Sequence, residues 1–408
     1  MTRHPADERI TTLSEALGFT ETVVEVGHTH PGVRHVLEAA GGTIGFLVSL
    51  DDERITDLDV EVGIGHRGVE KEMESLPWNR ALPYVRRLGL ASGLMAEIGY
   101  CLAVEGLAGI ATPDRAIWWR MLASEAARVT DHFARLASIA TAIGLPAAQR
   151  VAEQGEVQAA NVLATVTGGT GFPAWSRLGG VVAAPPTDFG ERWKKSHEAI
   201  GITLARFEST AIDNPSCQQR LRGVAPLSVE DCIAWGVTGP CLRAAGNPMD
   251  VRRDSPYLAY GAVDFDVPIG ENGDDFDRLL IVVEEIRQSL RIIDQAEALL
   301  ASLGPGVTMT VEPGWREPAK LDGDERTQAV LEGPAIPAGE FASSIESSTG
   351  ELGFLLVSDG EGLPRRIRCR PASFLNAQAL PQMLRGAHLD DLLPTVAAMH
   401  IVSGECDR

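Results

Sequence analysis

The 408-residue chain has few basic residues for its number of acidic ones, and this imbalance limits the partners that it can hold by charge. Lys and Arg number 36 against 56 Asp and Glu, which gives a formal net charge of −20. A phosphate backbone and an anionic lipid surface both attract positively charged proteins. The composition therefore argues against nucleic-acid binding and against direct adhesion to membrane lipids.

Cysteine is also sparse. There are six cysteines and no C-x-x-C pair among them: Cys101, Cys217, Cys232, Cys241, Cys369 and Cys406. Disulfide scaffolds and self-contained zinc or iron–sulfur sites use closely spaced cysteines. The polar start of the chain also lacks the apolar core of a secretory signal. We therefore expect a reduced, cytoplasmic setting and no metal site in this chain.

Long hydrophobic runs are almost missing, and residues 89–111 form the one stretch that is mostly apolar over a membrane-spanning length. This stretch contains Glu97 and Glu105. Each glutamate would cost ~2–3.5 kcal/mol at the centre of a bilayer. The sequence therefore predicts a helix buried within protein rather than a membrane span.

The patterning predicts an α+β fold in which a central bundle of long helices lies between small N-terminal and C-terminal β units. Residues 1–75 form the β-rich region, with strands at 43–50 and 55–62. Residues 76–310 form the helical bundle, with an irregular insert at about 213–273, and residues 311–408 form a mixed region. We expect long helices at 113–143, 147–165, 189–212 and 276–303, and further strands at 353–358 and 365–369.

Two short motifs have both a functional and a structural interpretation. Residues 63–68 read G-x-G-x-x-G after a predicted strand, but the acidic residue that supports a dinucleotide site ~20 residues further on is missing, which favours a glycine-rich turn. His28, His30 and His35 could converge on a metal ion. The intervening Pro31 and Gly32 favour a loop instead.

Pairs of arginines allow two interpretations. Arg86-Arg87 and Arg252-Arg253 could tune a redox centre or orient an acidic partner, or they could form ordinary ion pairs. For the remaining candidates we expect structural roles. Cys232 and Cys241 could be redox-active, but buried apolar roles are more common for such cysteines. His132 beside Asp131 fits a helix interior better than a catalytic site.

Longer strings resemble the D subunit of respiratory complex I, the NADH-quinone oxidoreductase, whose family is related to the large subunit of nickel–iron hydrogenases. His66, Arg67 and Glu70 lie in a string similar to the HRGIEK signature of that family. The resemblance is collinear from about residue 40 to the end of the sequence. It includes residues 65–71, 82–85, 99–105, 177–181, 234–240, 263–268, 287–291, 350–353 and 404–408.

The resemblance implies a hydrogenase large-subunit-like fold and a subunit in the peripheral arm of a proton-translocating complex. It places the chain at the quinone-site interface, beside the terminal iron–sulfur cluster of the small B subunit. The C subunit and the membrane-embedded H subunit are further implied partners. NADH, FMN and the clusters would be bound by partner subunits, and this chain would bind no cofactor itself. The implied location is the cytoplasmic side of the cell inner or plasma membrane.

Several positions depart from the family's site. The residues that bind the quinone headgroup in the family, a tyrosine and a histidine, fall on Leu90 and Gly41, and the carboxylate partner of the histidine falls on Ala142. If residues 31–40 contain an insertion, His35 is a candidate substitute for the histidine. Near the partner's cluster, the family's arginine is kept as Arg87, its histidine falls on Phe172, and Arg177 belongs to a shared string.

Leu90, Gly41 and Ala142 cannot donate the protons that quinone reduction consumes. Two hypotheses follow. The chain is either a working oxidoreductase subunit whose headgroup contacts come from other residues or water, or a structural or assembly paralogue with an altered or inactive quinone site. A component of a related, hydrogenase-like complex with another electron donor is a further alternative.

Overall fold

A computed structural model describes residues 22–27, 44–89, 91–169, 175–310 and 336–408. Its first element is a three-stranded antiparallel sheet in the order β1-β2-β3. Phe46, Val48 and Leu50 of the middle strand are buried, and they alternate with less buried residues, as expected for a strand with one face on a core. The two predicted strands are confirmed, whereas the first strand was not predicted. The strands are β1 (Thr22–Val26), β2 (Gly45–Asp51) and β3 (Arg54–Glu61).

The G-x-G-x-x-G motif is a turn that follows β3, as the missing acidic residue indicated. The short helices α1 (Val69–Glu74) and α2 (Leu82–Val85) follow it, and the 3-10 turn Arg86–Leu88 comes next. The helix α3 (Gly93–Ala108) then begins.

Helix α3 lies inside the protein, which confirms the expectation for the apolar stretch. Twelve of its 16 residues are buried, and these include Glu97 and Glu105. In the part of the chain that the structure describes, no helix is both long and apolar enough to cross a membrane. The helix ends at Gly109, which has a φ of 69° that a glycine adopts without strain.

Long helices form the centre of the molecule, as predicted. Helix α4 (Asp114–Ala142) is followed by the antiparallel helix α5 (Pro146–Thr167) after a connection of only a few residues. Gly144 lies in this connection with a positive φ, and Pro146 is the first residue of α5. The two helices pack closely at Gly155, where an added Cβ would lie 2.3 Å from the Phe133 ring. The hairpin β4 (Ser176–Arg177) and β5 (Gly180–Val181) follows, and then helix α6 (Phe189–Phe207), which continues into a π-helical turn at Glu208–Ile212.

The insert at 213–273 is more regular than predicted. Its proline and glycine residues suggested an irregular segment, but these residues begin and end short helices instead of preventing them. The helices are α7 (Pro215–Leu221), α8 (Val229–Trp235), α9 (Pro240–Ala244) and α10 (Val251–Asp254). The predicted long helix follows as α11 (Asp275–Leu303).

The last described region pairs a second antiparallel sheet, in the order β6-β7-β8, with further helices. The sheet packs on α3, where an added Cβ at Gly106 would lie 2.3 Å from the Phe341 ring. Strand β6 and the helices were not predicted, since β6 carries Ala and Ser and the first helix contains Pro381. The elements are β6 (Gly339–Glu346), β7 (Glu351–Ser358), β8 (Arg366–Arg370), α12 (Ala372–Leu384), α13 (Leu392–Met399) and α14 (Ser403–Cys406).

The long-helix bundle with a small sheet on either side in sequence confirms the α+β class. The core of the N-terminal sheet is shared with the C-terminal region, because buried side chains of β2 and β3 lie in one apolar cluster with those of α12 and α13. The hydrogenase-like part of the predicted fold remains a prediction.

Candidate functional site

The structure describes some of the site residues that the sequence singled out. His28, His30, His35, Gly41, Leu90 and Phe172 lie outside the described residues. Ala142 is the last residue of α4 and is half-buried. Arg87 is exposed on the turn Arg86–Leu88, and Arg177 is half-buried on β4.

The signature residues connect the segment after β3 with the C-terminal part of the described chain. His66 and Arg67 are exposed, and His66 Nδ1 donates a hydrogen bond to the backbone carbonyl of Asp407 at 3.1 Å. The Glu70 carboxylate accepts hydrogen bonds from the Cys369 amide at 2.9 Å and from the Arg368 guanidinium at 3.0 Å. In this chain the signature therefore fastens the segment after β3 onto the C-terminal sheet.

Two buried glutamates of α3 hold the hairpin that carries Arg177. Glu97 accepts a hydrogen bond from the Ser176 amide at 2.6 Å, and Glu105 accepts one from the Gly179 amide at 2.7 Å. Arg120 forms a two-pronged salt bridge with Glu105, with N–O distances of 2.7 and 2.8 Å. Because the hairpin's amides are paired with fixed carboxylates, its position on α3 is well defined.

The turn that carries Arg87 packs on the same helix. Gly93 at the start of α3 lies against the Arg86 carbonyl, where an added Cβ would be 2.0 Å away. Arg86 is buried, and its charge acts on Glu97. The Arg87 side chain is exposed and makes no hydrogen bond or ion pair with the described residues. Helix α3 therefore supports both segments and leaves Arg87 available to a partner.

Glu97 is an ionisable group that the sequence reasoning noted only as an obstacle to a membrane span. Burial raises its pKa from 4.5 to about 7, although Arg86, the Ser176 amide and Arg177 act in the opposite direction. A signal in the sequence could have identified Glu97 as a functional group. It is an acidic residue in an otherwise apolar helix, and this helix follows an arginine pair. A buried carboxylate needs such a partner.

A Glu97→Gln variant is expected to be more stable than the native chain at pH 8, by up to about 3 kcal/mol. The folded-state pKa of Glu97, about 7, lies above its ordinary value of 4.5. Its favourable contribution is therefore complete below about pH 4.5 and is lost as the pH rises through about 7. Glutamine keeps an oxygen for the Ser176 amide and carries no charge. Urea unfolding between pH 4.5 and 8 measures the difference, which should vanish at the acid end.

The matched control for this prediction is Glu153→Gln, since Glu153 is exposed on α5. Its stability should follow that of the native chain at every pH, within about 0.5 kcal/mol. A Glu97→Gln variant that is less stable than the native chain at pH 8 would contradict the raised pKa.

A second set of charges is fully buried between α4, α11 and the end of β6. Arg252 lies 2.7 Å from Asp250 and 3.3 Å from Glu125, and Arg243 lies 2.6 Å from Glu285 and 2.8 Å from Glu346. We call these residues, with Arg128 and His132, the core charge cluster. The pairing answers the question left open for Arg252, which is an ion-pair residue in this chain.

The core charge cluster also explains two other sequence candidates. Burial alone would raise the pKa of Glu125, but Arg128 and Arg252 lower it to about 2. His132 Nε2 lies 2.7 Å from Glu285, and burial lowers the pKa of its imidazole. The expected structural role of His132 is consistent with this fully enclosed position.

The turn after β6 extends the polar core towards the N-terminal half of the chain. Ser348 donates a hydrogen bond to Asp131 at 2.5 Å, and Nε2 of the buried His400 lies 3.9 Å from the same carboxylate. Burial lowers the pKa of His400 to about 3, so its imidazole is neutral. Sequence reasoning missed His400, because a single histidine before the terminal string gives no local signal.

The described thiols do not fit a cluster or metal ligand set. All six cysteines are buried and unpaired, and burial raises the pKa of Cys101 to about 12 and that of Cys217 to about 11. Thiolates are the form that binds iron and zinc. Within the described ranges, no group of three or more His, Cys, Asp and Glu side chains could hold a metal ion. That the chain binds no cofactor remains a prediction.

Ala142 is the one position that the resemblance assigns to the quinone site and that the structure describes. Ala142 offers only a methyl group at the end of α4. Asp131, the carboxylate of this helix that lies near His400, is eleven residues or ~16 Å away along the helix. A methyl group neither donates a proton nor orients a histidine. The described residues therefore support no proton transfer at Ala142.

The fold and the site define an α+β protein that presents, at an exposed turn supported by a buried helix, an arginine with no ion pair among the described residues. Comparison with known proteins identifies the family. The family model described as "Respiratory-chain NADH dehydrogenase, 49 Kd subunit" matches residues 152–408. The chain belongs to this family, which is that of the NADH-quinone oxidoreductase D subunits.

Relatives match over nearly the whole chain. The NADH-quinone oxidoreductase D subunit of Sorangium cellulosum, the copy numbered 1, is 33% identical over 99% of this chain and 100% of its own length. The D subunit of Myxococcus xanthus is 34% identical over 95% of this chain and 92% of its own length. The NADH-quinone oxidoreductase C/D subunit of Bdellovibrio bacteriovorus is 35% identical over 91% of this chain and 67% of its own length. The family resemblance derived from the sequence is thereby confirmed.

Proposed function

We propose that this chain is a peripheral-arm subunit of a proton-translocating NADH-quinone oxidoreductase and forms the quinone-site interface beside a partner's terminal iron–sulfur cluster. The observation that carries the proposal is the 33% identity with a D subunit over 99% of the chain. The exposed Arg87 and the fixed hairpin of Arg177 support it, because both are positioned by α3 and an arginine near a cluster favours the reduced state.

The proposed partners are other complex I subunits, chiefly the cluster-bearing B subunit, the C subunit and the membrane-embedded H subunit. The C/D relative supports the C subunit as a neighbour, because its name joins the two subunits in one protein. NADH, FMN and the clusters are assigned to partner subunits, and quinone to the interface. With a net charge of −20, the chain is better suited to attachment at the cytoplasmic side of the inner or plasma membrane through protein partners than through anionic lipid.

An Arg87→Ala variant is expected to lower the midpoint potential of the partner's terminal cluster in the assembled complex. Removing a positive charge near the cluster makes the added electron less favourable. Potentiometric titration followed by electron paramagnetic resonance measures the effect. The matched control is Arg150→Ala, an exposed arginine on α5. An unchanged cluster signal in the assembled Arg87→Ala complex would contradict the docking of this turn on the cluster.

A structural or assembly paralogue with an altered or inactive quinone site is the second candidate function. The methyl group of Ala142, together with Leu90 and Gly41 in the sequence, favours this alternative, because the family's proton-donating positions are replaced. A related complex with another electron donor is compatible with the same replacements. Equal rates of quinone-dependent NADH oxidation by complexes with and without this chain would favour the structural role.

A further inference from the structure

The segment of residues 402–408 lies directly against the turn that carries Arg87. A Cβ added to Gly404 would be 2.7 Å from the Arg87 carbonyl oxygen and 2.8 Å from the Leu88 carbonyl oxygen. Both distances are below the 3.0 Å that real Cβ atoms keep from other atoms, and both neighbours are backbone atoms. Glycine is therefore required at position 404 by the close approach of two backbones, and any side chain there would displace the turn.

The 402–408 segment is anchored on the side of the second sheet. The Glu405 carboxylate accepts hydrogen bonds from the Thr349 hydroxyl at 2.9 Å and from the Ser373 amide at 3.0 Å, and the Ser373 hydroxyl donates to it as well. The Ser373 hydroxyl oxygen also accepts a hydrogen bond from the Val402 amide at 3.1 Å. Because Glu405 is buried, these bonds hold the segment more firmly than exposed ones would.

The same segment is anchored on the side of the signature residues. The Asp407 carboxylate accepts a hydrogen bond from the Gly65 amide at 3.2 Å, and its backbone carbonyl accepts the bond from His66. Arg408 Nε lies 3.6 Å from the Glu70 carboxylate, and the Arg408 guanidinium lies over the Phe374 ring at 5.3 Å. Fixed at both ends, the segment has little freedom to yield. It therefore confines the Arg86–Leu88 turn at the Arg87 and Leu88 carbonyls, and a side chain at position 404 would displace the turn rather than the segment.

We propose that Gly404 is a positioning residue: through its contact with the Arg86–Leu88 turn, it determines where the Arg87 guanidinium is presented to the partner's cluster. The inference rests on the proposed function, since it requires Arg87 to face that cluster. It adds a residue that touches neither the cluster nor quinone and acts only through Arg87. The two contacts with backbone carbonyls, rather than any side-chain chemistry, carry this role.

The test is a double-mutant cycle on the midpoint potential of the terminal cluster in the assembled complex. Gly404→Ala is expected to lower the potential by less than Arg87→Ala does, because the displaced guanidinium keeps its charge. In an Arg87→Ala background, the same Gly404→Ala change should cause no further shift. The matched control is Gly201→Ala on α6, where an added Cβ meets nothing within 4 Å, and it should leave the potential unchanged in both backgrounds.

The outcomes separate this inference from the proposed function. An equal Gly404→Ala shift in both backgrounds, or no shift where Arg87→Ala does shift the potential, would overturn the positioning role and leave the proposed function standing. No shift from Arg87→Ala would overturn both. If the Gly404→Ala chain does not assemble, Ser373→Ala replaces it, because losing that hydroxyl loosens the segment without a clash. The same dependence on Arg87 is expected, and a shift independent of Arg87 would again overturn the role.

Discussion

An Arg128→Gln variant is expected to have a free energy of unfolding about 3–5 kcal/mol lower than the native chain, which is the usual cost of removing one partner from a buried ion pair. Arg128 is fully buried, and its Nε lies 3.1 Å from the Glu125 carboxylate. Its terminal nitrogens also donate to the backbone carbonyls of Ser347 at 3.0 Å and Glu346 at 2.8 Å. Glutamine is too short and has too few donors to replace all of these bonds.

The loss has two physical components. The Glu125 carboxylate would lose one of its two arginine partners and keep Arg252, so part of a buried negative charge would be uncompensated. The carbonyls of Glu346 and Ser347 would become buried acceptors without these donors, at about 1–3 kcal/mol each. Urea unfolding at pH 7, followed by circular dichroism, measures the change.

Arg291→Gln is the matched control, because Arg291 also pairs with two carboxylates but does so at the surface. Its partner Asp266 lies 2.9 Å away, and the two side chains are 41% and 78% exposed. Water screens such a pair, so we expect a loss below about 1 kcal/mol. Similar losses for the two variants would show that the core charge cluster contributes no more than a surface pair.

Adding a proton-donating tyrosine and a carboxylate, at two positions that the resemblance assigns to the quinone site, is expected to raise the quinone reductase rate of the assembled complex about 100-fold. The double variant is Leu90→Tyr with Ala142→Asp, at the positions on which the resemblance places the family's tyrosine and carboxylate. A positioned general acid contributes about 10²–10⁴-fold to the rate of a proton-dependent step. We expect the lower end of this range, because position 41 remains a glycine in the double variant, and the resemblance places the family's histidine there. NADH oxidation by the purified complex with a soluble quinone measures the rate.

The matched control is Leu90→Phe with Ala142→Leu, which adds bulk without a titratable group. It should leave the rate unchanged or lower it. If the complex with Leu90→Tyr and Ala142→Asp reduces quinone no faster than the native complex, the view that these two positions limit turnover is contradicted. This outcome would then favour protons supplied by other residues or by water.

The family and the long helices could be predicted because their signals are local or collinear. Helices α4, α5 and α11 begin and end within about three residues of the predicted limits, since apolar periodicity and the Gly and Pro residues at their ends lie within each segment. The two predicted strands of the N-terminal sheet follow the same rule. Strand β6 and helix α12 gave weaker signals, because β6 carries small polar residues and α12 contains Pro381.

The chemical character of the candidate site could be predicted only in part. The sequence singled out Arg87 and Arg177 through the family's strings, yet it did not show that α3 supports both segments. It also gave no reason to regard Glu97 as a titrating group. The pKa of that carboxylate depends on burial and on Arg86 and Arg177, and burial is a property of the packed chain.

The amino-acid sequence by itself determined the acidic charge, the α+β class, the burial of the apolar stretch and the family. Each of these depends on composition, on local periodicity or on strings that keep their order along the chain. Only the tertiary structure decided which charges pair, because Glu125 meets Arg252 and Arg243 meets Glu346 across about 100 residues or more of sequence. The same holds for Gly404, whose contact with the Arg87 carbonyl exists only where two distant backbones are brought together by packing.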